Sequence, residues 1–320
     1  MPIKIFSGSV HPEFAKSICK HLNLPLSELI IKKFSDTETY VKSVEKVRGD
    51  CVFIIQPIAA PVNESLMELL IIIDAMKRSS IKEINVVMPY YGYARQDRRN
   101  SAREPITAKL VANLLTTAGA NRIITVDLHS PQIVGFFDID VDHFEAYPLF
   151  ANYIKSKGLK NVTAVASDVG FAKKARKFAK LMDCPLAIID KRRPMHNRAE
   201  VVNVIGEVKG RTCILLDDMI DTGGTISEGA NALHAKGASE VYICATHGVL
   251  SEDAVDKLSK CRAKEIVLTD SYPIPKEKMI PKIHILSIAE LMARVIERIH
   301  DHRSLGELFS WEEKVNAQIK

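Results

Sequence analysis

Short apolar runs recur along the chain, each closed by a polar or glycine-bearing loop and followed by an amphipathic stretch. The runs are Val52–Gln56, Ile84–Pro89, Arg122–Val126, Val162–Ala166, Leu186–Ile189, Thr212–Leu216, Val241–Ala245, Glu265–Leu268 and Ile283–Leu286. Each is too short for a helix and valine and isoleucine are common in them, which predicts buried strands. The stretches between them read as helices. In Ile106–Thr117, residues Ile106, Leu110, Val111 and Leu114 share one face, Pro105 starts the helix and Gly119 ends it. A last helical period covers Ile288–His300, and the N-terminus opens as a strand and turn. This alternation predicts an α/β chain of parallel sheets with helices on both faces.

A length of 320 residues suits two domains of roughly 150 residues each. No textual repeat links the halves and no low-complexity linker divides them. The boundary is expected near 145–150, where Phe144-Glu-Ala-Tyr-Pro148 precedes a new helix. That gives an N-terminal half over 1–147, a C-terminal half over 148–299, a segment 300–312 that rejoins the first half, and a polar tail over 313–320. Aromatics make up only 6% while Leu, Ile and Val dominate, which favours buried parallel strands over a β-sandwich. The formal charge of +5 is scattered along the chain. It suits an enzyme of phosphorylated substrates and is too mild to imply a nucleic-acid partner.

Six cysteines occur without a C-x-x-C pair, so they read as reduced packing residues. No signal-type apolar core opens the chain, and no window approaches the ~20 apolar residues of a membrane span. Even Ser65–Met76, the most apolar stretch, carries Glu68 and Asp74. The expectation is a cytoplasmic protein with no membrane contact.

In open parallel sheets, ligands collect beyond the carboxyl ends of the strands. The sharpest such loop is Asp217-Asp218-Met-Ile-Asp221-Thr222-Gly223-Gly224-Thr225, which leads into a helix expected to begin near Ser227. Its hydroxyls and backbone N–H groups can hold a phosphate at a helix N-terminus, and its acids can face ribose hydroxyls or a hydrated metal. A capped helix after a strand accounts for one acid, not for three acids with two glycines. The segment resembles the phosphoribosyl-diphosphate motif of type I phosphoribosyltransferases.

Other loops are less specific when taken singly. Pro89–Arg99 combines Arg95, Gln96, Asp97, Arg98 and Arg99 with tyrosines and Gly92. Arginine forks suit triphosphate oxygens and tyrosine faces stack on bases, but a solvated basic loop has the same composition. Asp127-Leu128-His129 also follows a strand, and a single histidine is more often structural than a ligand. Residues 190–200 carry Lys191, Arg192, Arg193 and Arg198 without helical period. They read either as an exposed loop or as a basic lid.

Together these segments resemble ribose-phosphate diphosphokinases of the phosphate-activated class. The markers, in chain order, are Phe34-Ser-Asp-Thr-Glu38, Tyr90–Arg99, Arg103–Lys109, Asp127–His129, Gly135–Asp138, Asp190–Pro194 and Asp217–Thr225. The resemblance runs from about Ile3 to Phe309. It implies two similar doubly wound α/β domains of the type I phosphoribosyltransferase fold. It implies that ATP is bound by Phe34, Asp36, Thr37, Glu38, Arg95, Gln96 and Asp97. Ribose 5-phosphate would be held by Arg193, Asp217, Asp218, Asp221, Thr222, Gly223, Gly224 and Thr225. Lys191 and Arg193 match the catalytic pair, and His129 and Asp168 the residues associated with Mg²⁺. It further implies a homohexamer built from dimers, an ATP site completed by a neighbouring subunit, inhibition by ADP and activation by phosphate.

Three positions depart from the family pattern. Thr37 stands where glycine is usual, Ala166-Ser167-Asp168-Val169-Gly170-Phe171 replaces S-P-D-x-G-G, and Thr246-His247-Gly248 replaces T-H-P. Competing readings are a phosphoribosyltransferase, which has no use for an ATP loop, and a silent regulatory homologue. The second characteristically loses parts of the catalytic loop, whereas Lys191 and Arg193 are both present here.

Overall fold

The computed structural model describes residues 3–192 and 201–309, the side chains of 191, 192, 201, 202 and 309 excepted. Contacts divide these residues into two units. Unit 1 holds the chain to Glu145, the tripeptide Ser271–Pro273 and the segment from Ser287; unit 2 holds Ala146–Asp270 and Ile274–Leu286.

Unit 1 opens with β1 (Ile3–Ser7), α1 (Pro12–Leu22), β2 (Leu29–Lys33) and β3 (Thr39–Ser43). It continues with β4 (Cys51–Ile55), α2 (Val62–Arg78), β5 (Glu83–Val87), α3 (Thr107–Ala118), β6 (Arg122–Val126) and β7 (Asp140–Phe144). Strands β1, β4, β5, β6 and β7 form a parallel sheet in that order, and β2 and β3 pair antiparallel apart from it. Because side chains alternate along a strand, Phe6, Val52, Ile54 and Val86 join one core with Leu69, Ile72 and Ile73 of α2 and Leu115 of α3. Their neighbours Ile5, Phe53, Ile55 and Val87 are also buried, so both faces are covered. Helix α1 packs on β1 and on the helix Ala289–His300. That pairing groups the late helix with unit 1, whereas the sequence assigned residues up to 299 to the second half. Its partner lies far away in the chain, where no local pattern reveals it.

The apolar face of α3 also differs from the expected one. The structure buries Ala108, Val111, Ala112 and Leu115, and leaves Ile106, Leu110 and Leu114 exposed at 37%, 55% and 38%. Two alanines on the inner face let the helix approach the sheet, so the larger stripe points outward. Only Val111 of the predicted face is in the core.

A buried acid fastens the loop after β1. Glu68, 5% exposed, accepts the Ser9 N–H and Oγ–H at 2.7 Å each and the Gln56 Nε2–H at 2.8 Å. Removing it takes the acceptor from the buried Gln56 amide and frees the exposed Ser9. Glu68→Ala is therefore expected to lower stability by about 2 kcal/mol, read by denaturant unfolding. A loss under about 1 kcal/mol would contradict this account of the loop.

Unit 2 contains α4 (Tyr147–Ser156), β8 (Val162–Ala166), α5 (Ala172–Met182), β9 (Leu186–Arg192) and β10 (Val201–Ile205). Then come β11 (Thr212–Ile220), α6 (Gly224–Ala235), β12 (Glu240–Gly248), α7 (Ala254–Lys260), β13 (Glu265–Thr269) and β14 (Ile283–Leu286). Helix α8 is the Ala289–His300 helix of unit 1. The sheet order is β10-β9-β8-β11-β12-β13-β14, parallel except for β10. The chain first builds from β8 toward β9, then returns to the other side of β8 with β11. That reversal is a topological switch point between β8 and β11, the place in such sheets where ligands collect. Val165, Leu215, Ile243 and Ile266 pack against Ile226, Ala230 and Leu233 of α6 and Leu258 of α7.

Three strands outrun their apolar cores. The ladder of β11 and β12 continues through Asp217↔Ala245, Met219↔His247 and Ile220↔Gly248, and β9 reaches Arg192 by pairing with β10. Among the described residues no helix is long and apolar enough to cross a membrane.

Candidate active site

The switch point gathers the most specific residues of unit 2. Ser167 and Asp168 leave the end of β8, and Asp217–Thr225 spans the end of β11 and the start of α6. Since β11 extends to Ile220, Asp217 and Asp218 sit on the strand itself and point to opposite faces. The sequence, which ended this strand at Leu216, treated them as one loop. Asp218 is buried, and its N–H donates to Asp217 Oδ1 at 2.9 Å.

Burial raises the pKa of the Asp217 carboxyl well above the usual carboxylate range, and the like charge of Asp218 adds to the rise. The neighbouring Ser167 hydroxyl opposes it. A raised folded-state pKa contributes stability below the unfolded value and loses it as pH rises through the folded value. Asp217→Asn removes that loss. The ligand-free variant is expected to melt above the parent at pH 8 and level with it near pH 4, by calorimetry. An equal or lower Tm at pH 8 would contradict the assignment of the buried charge.

The turn after β11 is tied down on its far side. Asp221 Oδ1 accepts the Ser251 hydroxyl at 2.5 Å, and its carbonyl accepts the Ser251 N–H at 2.9 Å. Lys257 Nζ donates to the Thr222 carbonyl at 3.3 Å. Gly223 takes φ 72, and a Cβ there would lie 3.3 Å from Ala254 Cα. Both the left-handed backbone and the close approach call for glycine. Gly223 is also the N-cap of α6 and brings no capping side chain, which leaves the first turn of a 12-residue helix to meet an anion through its backbone N–H groups. Helix α6 starts at Gly224 instead of near Ser227. Ser251 and Lys257 were not singled out in the sequence; they follow β12, the next strand at the same sheet edge.

Asp168 is exposed, and one carboxylate oxygen accepts the Phe171 N–H at 2.7 Å ahead of α5. Lys191 lies on β9 with its backbone opposite Val202; its side chain lies outside the described set, as does the whole of Arg193. Among the described residues, no three His, Cys, Asp or Glu side chains form a ready metal cage.

In unit 1 the expected nucleotide residues come from two loops. Phe34–Glu38 is the turn of the β2–β3 hairpin, closed by Phe34 N–H to the Glu38 carbonyl at 2.9 Å and Glu38 N–H to Asp36 Oδ1 at 3.1 Å. All five residues are exposed. Thr37 takes φ 76, a left-handed conformation that glycine adopts freely and threonine does not. This gives the physical reason for glycine at that position in the family pattern.

The second loop, Pro89–Arg99, begins just past β5 and is anchored by its tyrosines. Tyr91 is buried and its hydroxyl donates to the Ala108 carbonyl at 2.8 Å; Tyr93 bonds Asn63 of α2. Gln96 holds the start of α3, its carbonyl accepting the Ala108 N–H at 3.1 Å and its side-chain oxygen the Thr107 hydroxyl. Arg95, Arg98 and Arg99 are exposed and Asp97 is half-buried. At the end of β6, Asp127 turns the chain with φ 43, and its N–H donates to the Phe144 carbonyl at 2.8 Å. The turn leaves His129 exposed.

Comparisons with known proteins agree along the chain. Residues 3–119 match the N-terminal domain of ribose phosphate pyrophosphokinase, and residues 193–310 match the phosphoribosyl synthetase-associated domain. A ribose-phosphate pyrophosphokinase of Fusobacterium nucleatum is 54% identical over 310 residues, 96% of this chain and 98% of the relative. One from Bacillus cereus is 52% identical over 308 residues, 96% and 97% of the two chains. The crystal structure of phosphoribosylpyrophosphate synthetase from Mycobacterium smegmatis superposes with a TM-score of 0.90 at 44% identity, covering 94% of this chain and 100% of that one.

Proposed function

The chain belongs to the ribose-phosphate pyrophosphokinase family, and from that premise we propose how its own residues divide the work of that reaction. Its activity is transfer of the β,γ-diphosphoryl group of ATP to the anomeric hydroxyl of ribose 5-phosphate, giving phosphoribosyl diphosphate and AMP for nucleotide synthesis. Both halves have the α/β fold of type I phosphoribosyltransferases.

The observation that carries the assignment is the switch point of unit 2, where a strand, a left-handed Gly223 and an uncapped α6 offer a phosphate cradle beside the buried Asp218. Asp221, Thr222, Gly223, Gly224 and Thr225 hold the 5-phosphate and ribose, and Asp217 and Asp218 of the strand leading into the turn belong to the same ribose 5-phosphate site. Arg95, Gln96 and Asp97 take ATP, aided by Phe34, Asp36, Thr37 and Glu38 of a neighbouring subunit. The ribose hydroxyl attacks the β-phosphorus in line and AMP leaves. Charge neutralisation and positioning dominate such transfers; Lys191 and Arg193 supply them, and no covalent intermediate is needed.

The divalent metal is Mg²⁺. Its hard-oxygen preference fits the exposed Asp168 carboxylate, His129 is the other residue assigned to it, and binding through one or two carboxylates plus substrate phosphates needs no protein cage. When bound it supplies Lewis-acid polarisation of the phosphates. The protein works in the cytoplasm as a homohexamer built from dimers, with ADP as inhibitor and phosphate as activator. The outward apolar stripe Ile106, Leu110 and Leu114 supports association of copies, since such stripes mark contact surfaces.

Arg95→Ala tests the division of substrates. It is expected to raise KM for ATP about tenfold, the worth of one charge-assisted contact, with KM for ribose 5-phosphate within about twofold. A raised sugar KM with an unchanged ATP KM in steady-state rates would reverse the assignment.

A further inference from the structure

We infer that Tyr272 is a positioning residue for the nucleotide loop, bracing the root of Pro89–Arg99 against the loop that follows β4. The chain leaves unit 2 after Asp270, gives Ser271–Pro273 to unit 1 and re-enters unit 2 at Ile274. Three residues form no strand or helix there, yet Tyr272 is only 7% exposed. A buried tyrosine needs a partner for its hydroxyl, and here the oxygen accepts the Ala60 N–H at 3.0 Å. The ring meets Tyr90 edge to face, with centroids 5.0 Å apart and planes at 84°.

Those two contacts join loops that already interlock. The Tyr90 carbonyl accepts the Ile58 N–H at 3.1 Å. Gly92 approaches Ile58 so closely that a Cβ would lie 2.5 Å from Ile58 Cγ2 and 2.6 Å from its carbonyl oxygen. Tyr272 therefore touches both members of a packed pair, Gln56–Pro61 and Pro89–Arg99. Farther along, Tyr91 and Tyr93 fasten the loop to α3 and α2. Tyr90 is the anchor nearest the strand, and its ring has Tyr272 as partner. Displacing the root of a loop carries its tip with it, and the tip bears Arg95 and Gln96. Tyr272 is assigned an action through the loop's register and not on the substrate itself. The inference rests on the assignment of Arg95 and Gln96 to ATP made above.

Full-length Tyr272→Ala, Tyr272→Phe and Arg95→Ala are compared by steady-state kinetics and by hydrogen exchange of peptides covering 89–99. Tyr272→Ala loses one aromatic pair and one hydrogen bond, each of modest net worth. Its KM for ATP should rise about fivefold, with KM for ribose 5-phosphate within about twofold and faster exchange in 89–99. Tyr272→Phe keeps the ring and should recover most of the ATP affinity. Should Tyr272→Ala fail to fold, Tyr272→Leu removes the hydroxyl and the aromatic edge while keeping bulk. A folded variant with unchanged KM for ATP and unchanged exchange overturns the inference, as does an equal rise for both substrates. If Arg95→Ala also leaves KM for ATP unchanged, the ATP assignment fails and takes the inference with it. If Arg95→Ala raises it and Tyr272→Ala does not, the inference alone fails.

Discussion

Lys191→Ala is expected to lower kcat by ~100-fold or more, the common worth of one donor aimed at charge developing in a transition state, with each KM within a few-fold. Strand β9 adjoins β8, and Ile188 pairs with Ala166, so Lys191 stands three residues beyond that register. At the rise of a strand this is roughly 10 Å past the end of β8, on the edge from which Asp168 and Asp217 also emerge. Pairing of Lys191 with Val202 keeps the backbone extended there. A cation at that place suits a reaction in which an anionic triphosphate meets an incoming hydroxyl. Conversely, an unchanged kcat in steady-state assays would remove Lys191 from the transfer step.

Asp221→Ala is expected to raise KM for ribose 5-phosphate about thirtyfold, close to 2 kcal/mol, while KM for ATP stays within about twofold. Asp221 secures the ribose turn from behind through Ser251 and is proposed to meet the sugar in front. Alanine removes the carboxylate and the Ser251 hydroxyl contact together, although the backbone bond from Ser251 to residue 221 survives. The turn should therefore remain, with less order. A normal sugar KM beside a raised ATP KM would exchange the roles assigned to the two units.

Much of this architecture could be read from the residues, and the parts that could not share a cause. Arg122–Val126, Val162–Ala166 and Ile283–Leu286 are strands with the ends their apolar runs imply. Strands β9, β11 and β12 run on into polar residues, since a ladder bond depends on the neighbouring strand and not on the side chain. The β2–β3 hairpin and β7 went unseen for the same reason: Lys32, Lys42, Asp140 and Asp142 do not resemble a core. The buried face of α3 is not the one with the largest apolar side chains, because the small Ala108 and Ala112 face inward.

The site divides similarly. Asp217–Thr225 was legible because its glycines have local causes, the positive φ of Gly223 above all. The supports of that loop, Ser251 and Lys257, come from a separate strand end and carry no local signal. Tyr272 is a stronger case, since its partners Ala60 and Tyr90 lie near the other end of the sequence. Thr37 shows the reverse. Its departure from glycine was visible in the sequence, and the left-handed φ supplies the meaning.

The most direct measurement is AMP release from ATP in Mg²⁺ and phosphate buffer, with and without ribose 5-phosphate. The account predicts AMP only when the sugar is present, one for one with phosphoribosyl diphosphate. A folded protein that binds ATP yet forms no AMP with the sugar would contradict it and mark the chain as a silent member of its family.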